Sequence, residues 1–302
     1  MKLSHTQAVW LMVACTMMWS IAGVITRQLE HAKSFEVTFW RSFFTLVSLA
    51  IILPAIHGKA LLYKFKQGGL YLWISGVCWS VMFTAFMIAL TMTSVANVLI
   101  TLSLGPMLTA IFARIFVGHQ IPFRTVLAIV VAGLGITYMY ASQINLSDTQ
   151  QLSGMFVALG VPVAAAVNWT LVQHSQVHGR EVDLVPAVML GALISTLLTF
   201  PLSMPLQATG NDVALLALLG LVQLAIPCVL AVVCARYLKA PEVSLLALLE
   251  IIFGIALAWI GANEKPGMSV LLGGGLVLVA LVFNEWLGMR ERAVENLNQN
   301  MT

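Results

Sequence analysis

The sequence predicts an all-α integral membrane protein of ten transmembrane helices, and three observations lead to this fold class. Charged residues make up 9% and hydrophobic residues 60% of the 302 positions, whereas soluble domains carry roughly 25% charge. The mean hydropathy is +0.95. Apolar stretches of about 17–24 residues recur along the chain, each long enough to cross a hydrocarbon core of about 30 Å. The predicted spans are 7–26, 36–56, 69–90, 95–117, 124–141, 153–173, 186–206, 213–235, 241–262 and 268–288.

Basic residues concentrate on one side of the predicted bundle. Arg27, Lys33 and Lys265 fall in connections on one side, Arg41 lies inside a span, and the other eleven Lys and Arg residues fall on the opposite side. Because Lys and Arg predominate in cytoplasmic loops, both termini are expected in the cytoplasm. This pattern is typical of a multi-pass protein of a cytoplasmic membrane.

The ten spans divide into two sets of five, residues 1–145 and 146–302, the second ending in a short polar tail. An odd number of spans in each repeat forces the second copy to be inverted across the membrane, an architecture that places binding sites near the midplane. A shift of about 145 residues aligns Val98 with Val243 and Leu104 with Leu249. A transport pathway between two repeats is therefore predicted, for which a monomer is sufficient, although a dimer is possible.

Several kinds of site are not expected. The basic residues form no stripe that would bind nucleic acid, and no Gly-x-x-x-x-Gly-Lys loop for ATP is present. His174 and His178 are four apart but lack a third metal ligand. The cysteines fall inside apolar spans without metal-ligand spacing, which predicts no metal and no cofactor; they are Cys15, Cys78, Cys228 and Cys234.

Glu250 is the strongest candidate for substrate binding or coupling, because an ionisable group at membrane depth usually has a function. It could hold a proton or pair with a cationic substrate group; the structural alternative is a protonated side chain bonded to a backbone carbonyl. Arg41, in the second span, could be a counter-ion for a substrate carboxylate or for Glu250. Alternatively, Arg41 extends to the membrane interface, and nearby Glu36 is expected to face water.

Aromatic and amide groups occupy similar places in the first span of each repeat: Trp19 and Ser20, then Asn168 and Trp169. Such groups suit a mostly apolar binding cavity with a few orienting polar atoms. The alternative is tight packing with hydrogen bonds between helices.

The fourth span carries both polar groups and a break in its helical pattern. Asn97 and Thr101 lie four apart on one helix face, where they either line a cavity or join helices. Gly105 and Pro106 free backbone groups and bend the helix, which predicts a gating hinge or a static kink. The central connection that contains Asp183 is expected to be a solvated linker.

Motifs over nearly the whole length resemble the EamA-type branch of the drug/metabolite transporter superfamily. The most specific one is Tyr237-Leu238-Lys239-Ala240-Pro241-Glu242-Val243-Ser244-Leu245-Leu246, followed by Leu249-Glu250. Weaker ones are Met17-Met18-Trp19-Ser20, Phe39-Trp40-Arg41-Ser42, Thr93-Ser94-Val95-Ala96, Leu104-Gly105-Pro106, Asn168-Trp169-Thr170, Gly261-Ala262-Asn263-Glu264 and Gly273-Gly274.

This resemblance implies ten helices, a central cavity, and export or exchange of small metabolites such as amino acids across a bacterial inner membrane. The family pattern usually has Glu-Pro in both repeats and a Glu where the fourth helix of each repeat ends. Here Gly105-Pro106 lacks the Glu, Glu250-Ile251 lacks the Pro, and His119 replaces one exit Glu. These departures concern substrate and coupling rather than fold.

Three function classes remain to be compared. A secondary transporter of small metabolites, with protons as the coupling ion, is favoured, and a multidrug or cation exporter of the same fold is the alternative. An intramembrane enzyme is disfavoured because no Gly-x-Ser-x-Gly or His-Glu-x-x-His motif appears. A receptor or scaffold would be expected to carry a partner-binding domain or a long tail.

Overall fold

The chain forms a bundle of apolar helices in the computed structural model, which describes residues 3–26, 28–32, 34–58, 60–93, 95–118, 120–141, 149–177, 182–262 and 267–301. No strand occurs among these residues. Seven of the helical runs within them are long and apolar enough to span a membrane, and Gly105–Val117, Phe123–Met139 and Val185–Thr199 are shorter apolar helices. The prediction of an all-α membrane protein is confirmed, and the exact number of spans stays a prediction.

The helices of the first half are joined by short connections. They are α1 (His5–Ser20), α2 (Ala22–Thr26), α3 (Ser34–His57), α4 (Ala60–Met92), α5 (Val95–Leu102), α6 (Gly105–Phe112), a π-helical segment (Ala113–Val117) and α7 (Phe123–Tyr140). Ser4 begins α1 as a capping box with Gln7, which satisfies backbone donors at the helix start.

The described part of the second half is also helical. It contains α8 (Thr149–Val177), α9 (Val185–Thr199), a short 3-10 turn (Pro201–Ser203), α10 (Gly210–Leu218), a π-helical segment (Leu219–Ala225), α11 (Ile226–Cys234), α12 (Ala240–Ala247), α13 (Leu249–Ala262) and α14 (Met268–Met301).

One helix break in the first half and one in the second lie at positions related by the shift of 145 residues. The first lies between α5 and α6, just before Gly105-Pro106, where the sequence predicts it. The second lies at Leu248, between α12 and α13, which corresponds to Ser103 under the shift of 145 residues. The residues just after Leu248 include no proline, so the second break has no local signal in the sequence.

Polar contacts define the two ends of the bundle. At one end, which we call the terminal end, His5 Nε2 lies 2.8 Å from Glu242 Oε1, and Gln173 Oε1 accepts a hydrogen bond from the backbone N–H of Ala240. At the opposite end, Asp212 accepts hydrogen bonds from the backbone N–H groups of Glu30 and His31 at 2.9 and 3.1 Å. Both ends therefore carry bonds between the two halves of the chain.

Candidate functional site

A cleft between the helices contains about 960 Å³ of empty space, part of which is open solvent. Its walls come from both halves of the chain, with α1, α3, α4, α5 and α6 on one side and α8, α11, α12, α13 and the second π-helical segment on the other. Clefts between the helices of a bundle are common places for small-molecule sites.

Aromatic side chains form most of the cleft wall. Trp79 lies edge-on to Trp169, with ring centroids 5.7 Å apart, and 5.6 Å from Phe83. Trp19 and Phe86 also line the cleft. Such a wall can bury the apolar part of a ligand and can also face a cation.

Arg41 is the only arginine or lysine among the lining residues that the structure describes. It is 3% exposed, so its side chain is buried among the helices. One terminal nitrogen donates a hydrogen bond to the carbonyl of Phe83 at 3.2 Å. The Nε atom is buried and has no partner, which leaves one donor of the guanidinium available.

Glu250 lines the same cleft, half-buried in the first turn of α13 just after the break at Leu248. Within the described part of the chain its carboxylate has neither a hydrogen bond nor an ion pair. Arg41 and Glu250 interact electrostatically without forming a salt bridge. The cleft therefore holds one cationic and one acidic group that do not neutralise each other by direct contact.

Gln223 is a lining residue that the sequence reasoning missed. Its Nε2 donates to the carbonyl of Trp19 at 3.3 Å, near the point where α1 ends. This bond orients the amide, and Oε1 is left buried without a partner. A single amide inside the apolar span 213–235 was the available signal. The π-helical segment that carries Gln223 belongs to a class of irregularity that often occurs at functional sites.

The other predicted binding residues are distributed between the cleft and the helix contacts. Trp19 and Trp169 line the cleft, whereas Ser20, Thr101 and Asn168 are not among the lining residues. The Ser20 hydroxyl donates to the carbonyl of Met17, and Asn168 Oδ1 accepts from Ser75 at 2.6 Å. The side chain of Asn97 lies outside the described part of the chain, as do Ser94, His119, Asn263 and Glu264.

Gly105 and Pro106 lie at the close approach of three helices. Gly105 lines the cleft, and a Cβ atom there would lie 3.3 Å from Ser244 Oγ and 3.7 Å from Pro162 Cβ. Pro106 is buried beside it. The break between α5 and α6 thus borders the cleft itself.

Two expectations about charged residues were wrong. Glu36 is 1% exposed and accepts hydrogen bonds from the backbone of Gln207 and Ala208, so it does not face water. Asp183 does not belong to a solvated linker, because His57, Lys64 and Arg236 all bond its carboxylate. These partners are distant in sequence, so no local pattern predicts them.

Among the residues that the structure describes, no group of three or more His, Cys, Asp or Glu side chains could hold a metal ion.

Comparison with known proteins identifies the family. A model of the EamA-like transporter family matches twice, over residues 6–141 and 152–285. A search of curated proteins gave no match. One solved crystal structure superposes with a TM-score of 0.76 over 94% of this chain and 99% of its own, at 14% identity, a level at which the likeness concerns the fold alone. The double match covers most of the chain, and the protein therefore belongs to the EamA-like family, membrane transporters of the drug/metabolite transporter superfamily.

Proposed function

We propose that the protein is a secondary transporter that exports or exchanges a small amphipathic metabolite, an amino acid or a related compound. The observation that carries this proposal is the aromatic cleft between the two halves of the chain, which contains Arg41 and Glu250 without a salt bridge between them. No enzymatic activity, cofactor or nucleic-acid partner is proposed.

Unpartnered polar atoms around the cleft support an amphipathic ligand. Arg41 Nε and Trp79 Nε1 are donors without partners, and Gln223 Oε1 is an acceptor without a partner. Each buried polar atom left unpaired costs about 1–3 kcal/mol. A ligand with a carboxylate for the two donors and an ammonium group for Gln223 and Glu250 would remove this cost, while the aromatic wall buries its side chain.

Alternating access is the proposed mechanism. The breaks before Gly105 and at Leu248 border the cleft, and broken helices at such positions can act as hinges. Glu250 is proposed as the group that couples transport to protons, since a carboxylate in an apolar cleft can exchange a proton and a cationic substrate group.

The proposed topology has ten spans in two inverted repeats, 1–145 and 146–302, with both termini in the cytoplasm of a bacterial cell. A monomer contains the whole pathway, although a dimer remains compatible with it.

A multidrug or cation exporter is the second candidate. The aromatic wall beside the Glu250 carboxylate favours it, because aromatic faces attract organic cations. Arg41 opposes it, because a buried cation repels a cationic ligand.

The test combines ligand binding and flux for the purified protein. Thermal unfolding in detergent is measured with amino acids, with their deaminated and decarboxylated analogues, and with organic cations. A ligand at about 100 times its dissociation constant stabilises the folded state by about 2.7 kcal/mol. We expect stabilisation by amino acids that Arg41→Gln abolishes, and pH-driven flux in liposomes that Glu250→Gln abolishes.

Arg290→Gln and Glu291→Gln are matched controls, because they make the same chemical changes in α14 at residues that do not line the cleft. Stabilisation by organic cations alone would favour the second candidate. Carboxylate ligands that bind equally well after Arg41→Gln would contradict the proposed role of Arg41, and pH-driven flux unchanged by Glu250→Gln would contradict proton coupling.

A further inference from the structure

Two buried carboxylates occupy related places at opposite ends of the bundle. Glu36 lies in the first turn of α3, the second long helix of the first half. Asp183 lies two residues before α9, the second long helix of the second half. The cleft and the family match account for neither residue.

Asp183 is bonded from four directions at the terminal end. Its Oδ2 lies 2.9 Å from His57 Nε2 and accepts from Lys64 Nζ at 2.6 Å. Its Oδ1 accepts from the Arg236 guanidinium and from the backbone N–H of Val185. Two of these partners, His57 and Lys64, flank the connection between α3 and α4.

Glu36 is bonded at the opposite end. Its two oxygens accept from the backbone N–H of Gln207 at 2.9 and 3.0 Å, and Oε1 also accepts from the N–H of Ala208 at 2.8 Å. Both partners lie in the connection between α9 and α10.

The two sets of contacts are reciprocal. The carboxylate at the start of α9 holds the connection that follows α3, and the carboxylate at the start of α3 holds the connection that follows α9. The two helices also touch along their length, where Ser42 Oγ lies 2.9 Å from Ser195 Oγ. Each carboxylate thus ties one half of the chain to the other at one end only.

We propose that Asp183 and Glu36 each hold one end of the transport pathway closed, so that an end opens only when the bonds to its carboxylate break. We call these two sets of contacts the Asp183 latch and the Glu36 latch. This inference rests on the proposed alternating access. Separation of the halves at the terminal end must remove His57 and Lys64 from Asp183, whereas separation at the opposite end must remove Gln207 and Ala208 from Glu36. A buried carboxylate resists losing its partners, so each latch biases the transporter against opening at its end.

The two latches differ in their chemistry. The Asp183 latch consists of side-chain charges, and Lys64 and Arg236 are 30% and 29% exposed. The Glu36 latch is buried and uses uncharged donors, the backbone N–H groups of Gln207 and Ala208 and the indole N–H of Trp40. Salt screens partly exposed charges and has little effect on buried neutral donors, so high salt should loosen only the terminal end.

The experiment reads the open side of the cleft without knowledge of the substrate. A reporter cysteine replaces Ala165, a partly buried residue of the cleft wall, in a background where the four native cysteines are alanine. A membrane-impermeant maleimide is added from one side or the other of sealed, oriented vesicles, and a C-terminal tag identifies the terminal side. The measured quantity is the ratio of the two labelling rates.

We expect Asp183→Asn to raise labelling from the terminal side several-fold relative to the opposite side, and Glu36→Gln to do the reverse. Asp183→Glu keeps the charge and should restore much of the native ratio. Glu291→Gln is the matched control, since it breaks an ion pair with Arg124 at the same end without touching the latch. High salt should change the labelling ratio of the native protein in the same direction as Asp183→Asn does. It should not change the ratio of that variant further.

The possible failures are distinguishable. If the native cleft is labelled from both sides but the ratio of labelling rates is the same in the Asp183 and Glu36 variants, the latch proposal is wrong and alternating access is still supported. If the reporter cysteine is labelled from a single side in the native protein and in every variant, the proposed alternating access is wrong, and the latch proposal that rests on it is wrong too. If a variant is labelled faster from both sides by the same factor, the substitution has loosened the packing in general, which would also contradict the latch proposal.

Discussion

Asp183 illustrates how much one residue depends on partners that are remote in sequence. Burial by itself raises the pKa of its carboxyl, but bonds from Lys64, Arg236, the Val185 backbone and His57 together bring the pKa well below its ordinary value. A group whose pKa is depressed on folding stabilises the folded state at pH values above its ordinary pKa. That contribution disappears only as the pH falls through the depressed value.

Asp183→Asn is therefore expected to lower the free energy of unfolding by about 2 kcal/mol, the scale of a hydrogen bond to a charged group. The difference between the native chain and this variant should stay constant from about pH 8 to about pH 5 and shrink only in stronger acid. Denaturant unfolding in mild detergent measures it, in a His57→Gln background that replaces the imidazole partner by an uncharged amide. A difference that stayed constant as the pH fell below the ordinary pKa of an aspartate would contradict the depressed pKa.

At the scale of elements, small residues let two helices approach closely. A Cβ atom on Gly273 of α14 would lie 2.4 Å from the carbonyl oxygen of Gly135 in α7. Gly275, two residues further along α14, has no atom within 4 Å of such a position. Of these two glycines, only Gly273 makes the α7 contact.

Gly273→Ala should therefore destabilise the protein by about 1–3 kcal/mol, the usual cost of overpacking. Gly275→Ala should be neutral or slightly stabilising, because alanine favours a helix over glycine by about 0.5–1 kcal/mol. The two substitutions are compared by thermal unfolding in the same detergent. Equal effects would show that α7 and α14 do not pack as described.

At the scale of the whole molecule, the two halves of the chain bury their helices against each other. α4 packs on α8 and α9, α3 packs on α9, and α7 packs on α14. These helices belong to different proposed repeats, and the largest apolar cluster contains residues of both halves.

A chain cut at the proposed boundary should consequently stay together. With a protease site inserted after Asn145, the two fragments are expected to elute as one particle in size-exclusion chromatography in mild detergent, because their interface is a helix core. The uncut chain is the control. Fragments that separated without denaturant would contradict a shared core.

The sequence by itself determined the membrane class, the helical fold and the family, because hydropathy, span length and the Ala-Pro-Glu motif are local properties of the chain. It also placed Arg41, Glu250, Trp19 and Trp169 among the candidates, since charged and aromatic groups stand out within apolar spans. These four residues line one cleft in the structure.

Only the tertiary structure decided which polar groups lack partners and which are paired. Gln223 and Trp79 join the cleft, Asn168 bonds Ser75, and Glu36 and Asp183 are buried rather than solvated. The physical reason is that a polar group in a membrane bundle is satisfied by whatever donor or acceptor the packed helices bring near it. That neighbour lies 93 residues away for Asn168 and 171 for Glu36, beyond the reach of any pattern read along the chain.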